Sequence, residues 1–90
     1  MERIVTVAPE DGLHARPATA FVRTANGFDA DVRVGPANGD LVEAESVLAV
    51  TSLGVPSGQA VRIVAEGADA EAALDALQSV LSTPEAKRST

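Results

Sequence analysis

The residues best suited to chemistry lie in one short stretch, GLHARP at positions 12–17, which holds the only histidine of the chain. The imidazole of His14 can act as a nucleophile, a general base or a metal ligand. Arg16 follows two positions later, and a guanidinium binds phosphate oxygens well because its planar fork donates parallel hydrogen bonds. The spacing therefore favours a phosphoryl group held transiently on a ring nitrogen of His14.

Other interpretations of the histidine stand beside this one. A lone histidine at a helix start is more often a cap or a surface residue than a nucleophile. A metal site would have to combine His14 with Glu10 or Asp11, because the chain offers no second imidazole. We therefore expect no metal and no other cofactor. The absence of cysteine excludes thiolate metal sites and disulfides. A serine hydrolase is disfavoured because the chain has no second histidine and no G-x-S-x-G turn.

Composition narrows the class of partner. The net charge is −6, from 13 acidic and 7 basic residues, and two phenylalanines are the only aromatic residues. This surface repels phosphate backbones and offers no stacking platform, so nucleic acid is not an expected partner. We recognise no signal peptide and no membrane-spanning stretch, and we expect a cytoplasmic protein, by default a monomer. The acidity suits a high-salt cytoplasm, with genome composition as the alternative explanation.

The elements that position His14 follow from the hydrophobic pattern. Apolar residues alternate in four segments and predict strands, of which the middle two form a hairpin: residues 3–7, 30–34, 41–44 and 60–66. Helical spacing predicts three helices: residues 15–25, 46–53 and 69–82. The order βαββαβα favours an α+β, open-faced β-sandwich whose four-stranded, mainly antiparallel sheet carries three helices on one face. We expect one domain over residues 1–84 and a frayed tail over 85–90.

Capping residues mark the predicted helix ends. Ser46 and Asp69 stand at N-cap positions, and the Asn26-Gly27 pair ends the first helix. Pro84 bounds the third helix. The third helix presents one buried stripe, formed by Ala70, Ala73, Leu74, Leu77 and Leu81.

The first helix begins beside the histidine. Gly12 permits a tight turn, His14 falls at or just before the first helical residue, and Pro17 fits the first turn. The backbone N–H groups of Ala15 and Arg16 have no helical acceptor there, so they form an anion site next to the imidazole.

Three blocks of sequence resemble the HPr family, the histidine-containing phosphocarriers of the phosphoenolpyruvate-dependent sugar phosphotransferase system. They are GLHARPAT at 12–19, AESVLAVTSLGV at 44–55 and AEGADAEAALDAL at 65–77. The resemblance implies that His14 accepts a phosphoryl group on Nδ1 from phosphorylated enzyme I and passes it to an enzyme IIA domain. It implies that Arg16 stabilises the transferred group and that Pro17 shapes the helix start. Such a protein is a carrier rather than a conventional enzyme.

The resemblance also implies a regulatory site. Ser46 matches the serine that a dedicated kinase phosphorylates in some family members, although its N-cap position alone would account for it. Glu45 stands where many members carry lysine, and Glu43 lies nearby in sequence, so either the partners are altered to match or high salt screens the repulsion. A kinase accustomed to a basic neighbour would meet an acidic one at Ser46. A regulatory module controlled by serine phosphorylation is the alternative function, and the presence of both His14 and Arg16 argues against it.

A carrier docks on its partners through a surface around the histidine, and we expect that surface to be apolar. The predicted docking residues are Ala15, Ala18 and Thr19 on the first helix and Val47, Leu48 and Thr51 on the second. For Val50 and Leu53 we expect core packing instead.

Overall fold

A computed structural model describes residues 1–10 and 12–83 of the chain. Its elements follow the predicted order: β1 (Glu2–Thr6), α1 (Ala15–Asn26), β2 (Asp31–Pro36), β3 (Val42–Glu43), α2 (Val47–Thr51), β4 (Ala60–Glu66) and α3 (Ala70–Ser82). No helix in the described part of the chain is long and apolar enough to cross a membrane. The predicted tail at residues 85–90, like Pro84, lies outside the described residues.

The four strands form one sheet in the order β1-β4-β2-β3, and every neighbouring pair is antiparallel. In the central pair, Val34 of β2 lies opposite Ile63 of β4. The hairpin predicted over residues 30–44 is present, although its second strand contains only Val42 and Glu43. The predicted open-faced sandwich is thereby confirmed.

The core lies between the sheet and the helices. The strands alternate, so that β4 buries Val61, Ile63 and Ala65 toward the helices while its other residues remain at least partly accessible. From α1, the side chain of Phe21 is completely buried. The predicted stripe of α3 is confirmed, since its buried residues are Ala70, Ala73, Leu74, Leu77 and Leu81. Burial of these apolar side chains is the main force that holds the helices on the sheet.

Two predictions about helix ends need correction. Asp69 occupies the N-cap position of α3, but its side chain makes no hydrogen bond to its own helix. Its Oδ2 instead accepts from the backbone N–H of Asp29 at 2.8 Å and ties the α1–β2 loop to α3. The helix α2 is also shorter than predicted: it ends at Thr51, and two tight hydrogen-bonded turns carry the chain on to Gly54.

Candidate functional site

The loop before α1 is fixed by its contact with the segment after α2. Gly12 has φ +74°, and a Cβ at this position would lie 2.4 Å from the carbonyl oxygen of Val55. The backbone N–H of Leu13 donates to that same oxygen at 2.9 Å, and the Leu13 side chain is completely buried. Only glycine fits at residue 12, and the buried leucine holds the next residue, His14, at the surface.

His14 is the N-cap of α1, as predicted. Its backbone is extended, with φ −129° and ψ 165°, and its side chain makes no capping hydrogen bond. The side chain is exposed. The imidazole is therefore accessible to an incoming group. Helix capping does not explain the choice of histidine at this position, because the His14 side chain makes no capping hydrogen bond.

The next residue has an unusual backbone. Ala15 has φ +47°, and it is the one non-glycine residue with positive φ in the described chain. This left-handed conformation costs an alanine about 1–2 kcal/mol. The strained residue lies directly beside His14, and backbone strain of this kind is often found at functional sites.

Arg16 and the first backbone amides complete the site. The Arg16 side chain is exposed and forms no ion pair with any described residue. The first amides of a helix lack intrahelical acceptors, so the N–H groups of Ala15 and Arg16 are available to an anion. Pro17 is buried in the first turn, where its missing N–H removes no helical hydrogen bond. Together these groups can hold a small dianion beside the imidazole.

The neighbouring helix α2 packs against α1 and contributes exposed apolar side chains. Leu48 is 79% exposed and Val47 is 37% exposed. The hydroxyl of Thr51 donates to the carbonyls of Val47 and Leu48, at 2.9 and 3.0 Å. On α1, the hydroxyl of Thr19 likewise donates to the carbonyl of Ala15, at 3.0 Å. Each threonine hydroxyl therefore donates within its own helix rather than to the neighbouring helix.

One predicted docking residue is wrong. Ala18 is completely buried, because it lies on the face of α1 that contributes to the hydrophobic core. The expected burial of Val50 is confirmed, and Leu53 packs partly buried against the core. The remaining predicted docking residues are at least partly accessible.

The edge beside α2 is acidic. Glu43 and Glu45 are exposed, and neither forms an ion pair with a described residue. Partial desolvation, a hydrogen bond to the Asp31 carboxyl group and the charges of Asp31 and Glu45 raise the pKa of Glu43, while Arg33 lowers it. The carboxyl groups therefore repel one another along this edge.

Sequence reasoning missed a groove on the outer face of α1. Its volume is about 470 Å³, and it is lined by Ala15, Arg16, Thr19, Ala20 and Arg23. The spacing i, i+3/i+4, i+7 from Arg16 through Thr19 and Ala20 to Arg23 was the available signal, since such residues share one helix face. The described residues include no group of three side chains able to hold a metal ion. Asp11, named with Glu10 in the metal alternative, lies outside them.

Comparisons with known proteins agree along the whole chain. A family described as "PTS HPr component phosphorylation site" matches residues 1–83. A phosphocarrier protein HPr of Haloferax volcanii is 70% identical over 89 residues, covering 98% of this chain and all of the relative. The crystal structure of HPr from Bacillus anthracis shares 40% identity with a TM-score of 0.84, covering 90% of this chain and 95% of that one. A structure of an HPr dimer from Thermoanaerobacter tengcongensis shares 40% identity with a TM-score of 0.70, covering 87% and 91%.

Proposed function

The chain belongs to the HPr family, the phosphocarriers of the phosphotransferase system, and we propose that His14 is the residue on which it carries the phosphoryl group. The observation that carries this proposal is the exposed imidazole of His14 at the start of α1, which makes no capping hydrogen bond to its helix. The resemblance assigns the same residue. In this proposal, residues 1–84 act as one carrier domain.

The transfer needs no cofactor. The lone pair on Nδ1 of the neutral ring forms a bond to phosphorus while the bond between phosphorus and its donor atom on enzyme I breaks. In the next step the Nδ1–phosphorus bond breaks as an acceptor atom of an enzyme IIA domain forms its own bond. The carrier is regenerated unchanged after each cycle.

Arg16 and the amides of Ala15 and Arg16 supply the stabilisation. Charge on the phosphoryl oxygens rises and spreads during transfer, and donors already aimed at that position lower the barrier without reorganising. A carrier must also release the group, so a few exposed contacts suit it better than a closed pocket.

Partners dock on the surface formed by α1 and α2. Leu48 and Val47 provide its exposed apolar centre, and Ala15, Thr19 and Thr51 surround it. Regulation through a kinase at Ser46 is not part of this proposal. The hydroxyl of Ser46 already caps α2, and the adjacent Glu45 places negative charge beside it.

The proposal is tested by incubating the protein with enzyme I and radiolabelled phosphoenolpyruvate. We expect a label that is lost in acid and retained in base, as a phosphoryl group on a ring nitrogen requires. The variant His14→Ala should fold normally, because the side chain is exposed, and should take up no label. Acid-labile labelling of that variant would contradict the assignment, and base-labile labelling on serine would favour the regulatory alternative.

A further inference from the structure

The described residues contain five arginines, which fall into two groups. Three of them form exposed or half-exposed ion pairs: Arg3 with Asp75 at 2.6 Å, Arg33 with Glu66 at 3.3 Å and Arg62 with Glu2 at 3.7 Å. The other two, Arg16 and Arg23, have no carboxylate partner in the described chain. Carboxylates outnumber cations nearly two to one in this protein. The two unpaired arginines are therefore conspicuous, and both line the groove on α1.

Arg23 is too far along the helix to serve the transferred group. It lies nine residues after His14, which corresponds to about 13 Å along the helix axis. Between Arg16 and Arg23 the groove is floored by Ala20 and Thr19. The Arg23 side chain is exposed, so its charge is available to another molecule that occupies the groove.

The other side of the same surface has the opposite charge. Glu45 immediately precedes the cap of α2. Glu43 is paired with Arg33 and therefore projects from the sheet face away from the helices, so it does not belong to this surface. Glu45 and Asn26, the last residue of α1, line one cleft at the end of the two helices. Glu45 therefore borders the same surface as the α1 groove, and no cation of the described chain forms an ion pair with it.

Exposed apolar side chains lie on the helix between these two charged sides. Leu48 projects from α2 and is largely uncovered by the described chain, and Val47 beside it is partly exposed. An apolar centre with a charged rim is the usual anatomy of a protein interface, in which the rim charges select and orient the partner.

We propose that this two-sided surface, cationic along α1 and anionic at the start of α2, selects partner proteins that present carboxylates opposite Arg16 and Arg23 and a cationic side chain opposite Glu45. The inference rests on the proposed function, because it concerns the partners that dock beside His14. A partner surface that is acidic throughout meets repulsion at the α2 side. A partner turned half around meets like charge on both sides, so the arrangement also fixes its orientation.

Phosphoryl transfer from enzyme I of the same organism tests the proposal. The variants Arg23→Glu and Glu45→Lys are compared at the lowest salt in which all proteins remain folded, and again with added 1 M KCl. We expect each change to lower kcat/KM by about three- to tenfold, a range typical of a reversed rim charge, with kcat little changed. Added salt should shrink both effects because it screens exposed charges.

Two further variants separate this proposal from a simple effect of net charge. Glu71→Lys changes the charge as Glu45→Lys does but lies on α3, and it should leave the transfer rate unchanged. The double variant Arg23→Glu/Glu45→Lys keeps the wild-type net charge, and it should be the slowest of all because both sides then face like charge. A net-charge effect would instead restore its rate.

Three outcomes overturn the inference. They are a faster Glu45→Lys protein, a double variant restored to the wild-type rate, and single variants that both behave as wild type. The last result, with normal labelling of the wild type, would leave the proposed function intact. A wild-type protein that accepts no phosphoryl group from enzyme I would overturn the proposed function itself, and the inference with it.

Discussion

At the scale of single residues, the arrangement at the start of α1 gives Arg16 a specific task. Its side chain is exposed and has no ion pair in the described chain, so its removal should not disturb folding. Losing one charge-assisted contact of about 1.4 kcal/mol to the transferring group should slow transfer by roughly tenfold in Arg16→Ala. Rapid-quench measurement of label transfer from enzyme I, and on to an enzyme IIA domain, checks this expectation.

The variant Arg16→Lys is the matched control. It keeps the positive charge but loses the planar fork, so its rates should fall between those of wild type and Arg16→Ala. Equal rates for all three proteins with both partners would show that the arginine does not contact the phosphoryl group during transfer.

Ser46 has a structural task that can be measured separately. Its hydroxyl accepts a hydrogen bond from the N–H of Ala49 at 3.3 Å. Replacing a capping serine by alanine removes about 0.5–1 kcal/mol of stability when the bond is this long and exposed. We expect Ser46→Ala to lower the free energy of unfolding in urea by that amount, and Ser46→Asn to retain most of it. If Ser46→Ala is as stable as the wild type, the Ser46 cap does not stabilise α2.

The sequence allowed the position of His14 to be predicted, because Gly12, Pro17 and the helical spacing all point to one helix start. The positive φ of Ala15 could not be predicted, since alanine has no preference for that conformation. Ala18 was misplaced for a different reason. Nearness to His14 along the chain favours Ala18 as a docking residue, whereas burial depends on which face of α1 joins the core.

At the scale of elements, the hairpin of β2 and β3 brings carboxyl groups together. Desolvation, the hydrogen bond with Asp31 and the nearby charges raise the pKa of Glu43 in the folded protein. A carboxyl group whose pKa is raised by folding binds protons more tightly in the folded state. Its effect on stability is therefore most favourable below the unfolded pKa and is lost as pH rises through the folded pKa.

We therefore expect Glu43→Gln to be more stable than the wild type at pH 7, with the difference vanishing as the pH falls below the ordinary pKa of a glutamate, about 4.3. Urea unfolding at intervals across this range measures the free energy of unfolding of both proteins. Glu71→Gln serves as a control, because Glu71 lies in the first turn of α3, away from the hairpin. If the gain in stability does not depend on pH, the glutamine at position 43 acts through packing or strand propensity rather than through the loss of a charge.

Element order and type followed from periodicity, whereas element ends depended on tertiary contacts. The position of Asp69 predicts a side-chain cap for α3, but in the folded chain its carboxylate accepts a hydrogen bond from the backbone N–H of Asp29 instead. That bond joins residues 40 positions apart, and no local pattern encodes it. The early end of α2 has a similar origin, because the chain must turn at Gly54 to bring Val55 against Leu13.

At the scale of the whole molecule, the charges are distributed unevenly. The 13 acidic residues exceed the 7 basic ones, and the ion pairs of the described chain involve side chains that keep much of their exposure. Exposed pairs of this kind stabilise little. Most carboxylates therefore contribute repulsion rather than attraction to the folded state. The 70% identical relative comes from the halophile Haloferax volcanii, which agrees with the high-salt interpretation of the acidity.

If the surface is adapted to salt, the stability of the protein should depend on ionic strength. Lowering the salt from 1 M to 0.1 M lengthens the Debye distance from about 3 Å to about 10 Å, so that carboxylates which were screened from one another begin to interact. We expect the midpoint of thermal unfolding, followed by circular dichroism, to fall as KCl is removed over this range. An osmolyte such as sucrose strengthens burial through exclusion from the surface without screening charge, and it should raise the midpoint only weakly at low salt. A midpoint that responds equally to both solutes would attribute the effect to exclusion, and one that ignores KCl would make genome composition the better explanation of the acidic sequence.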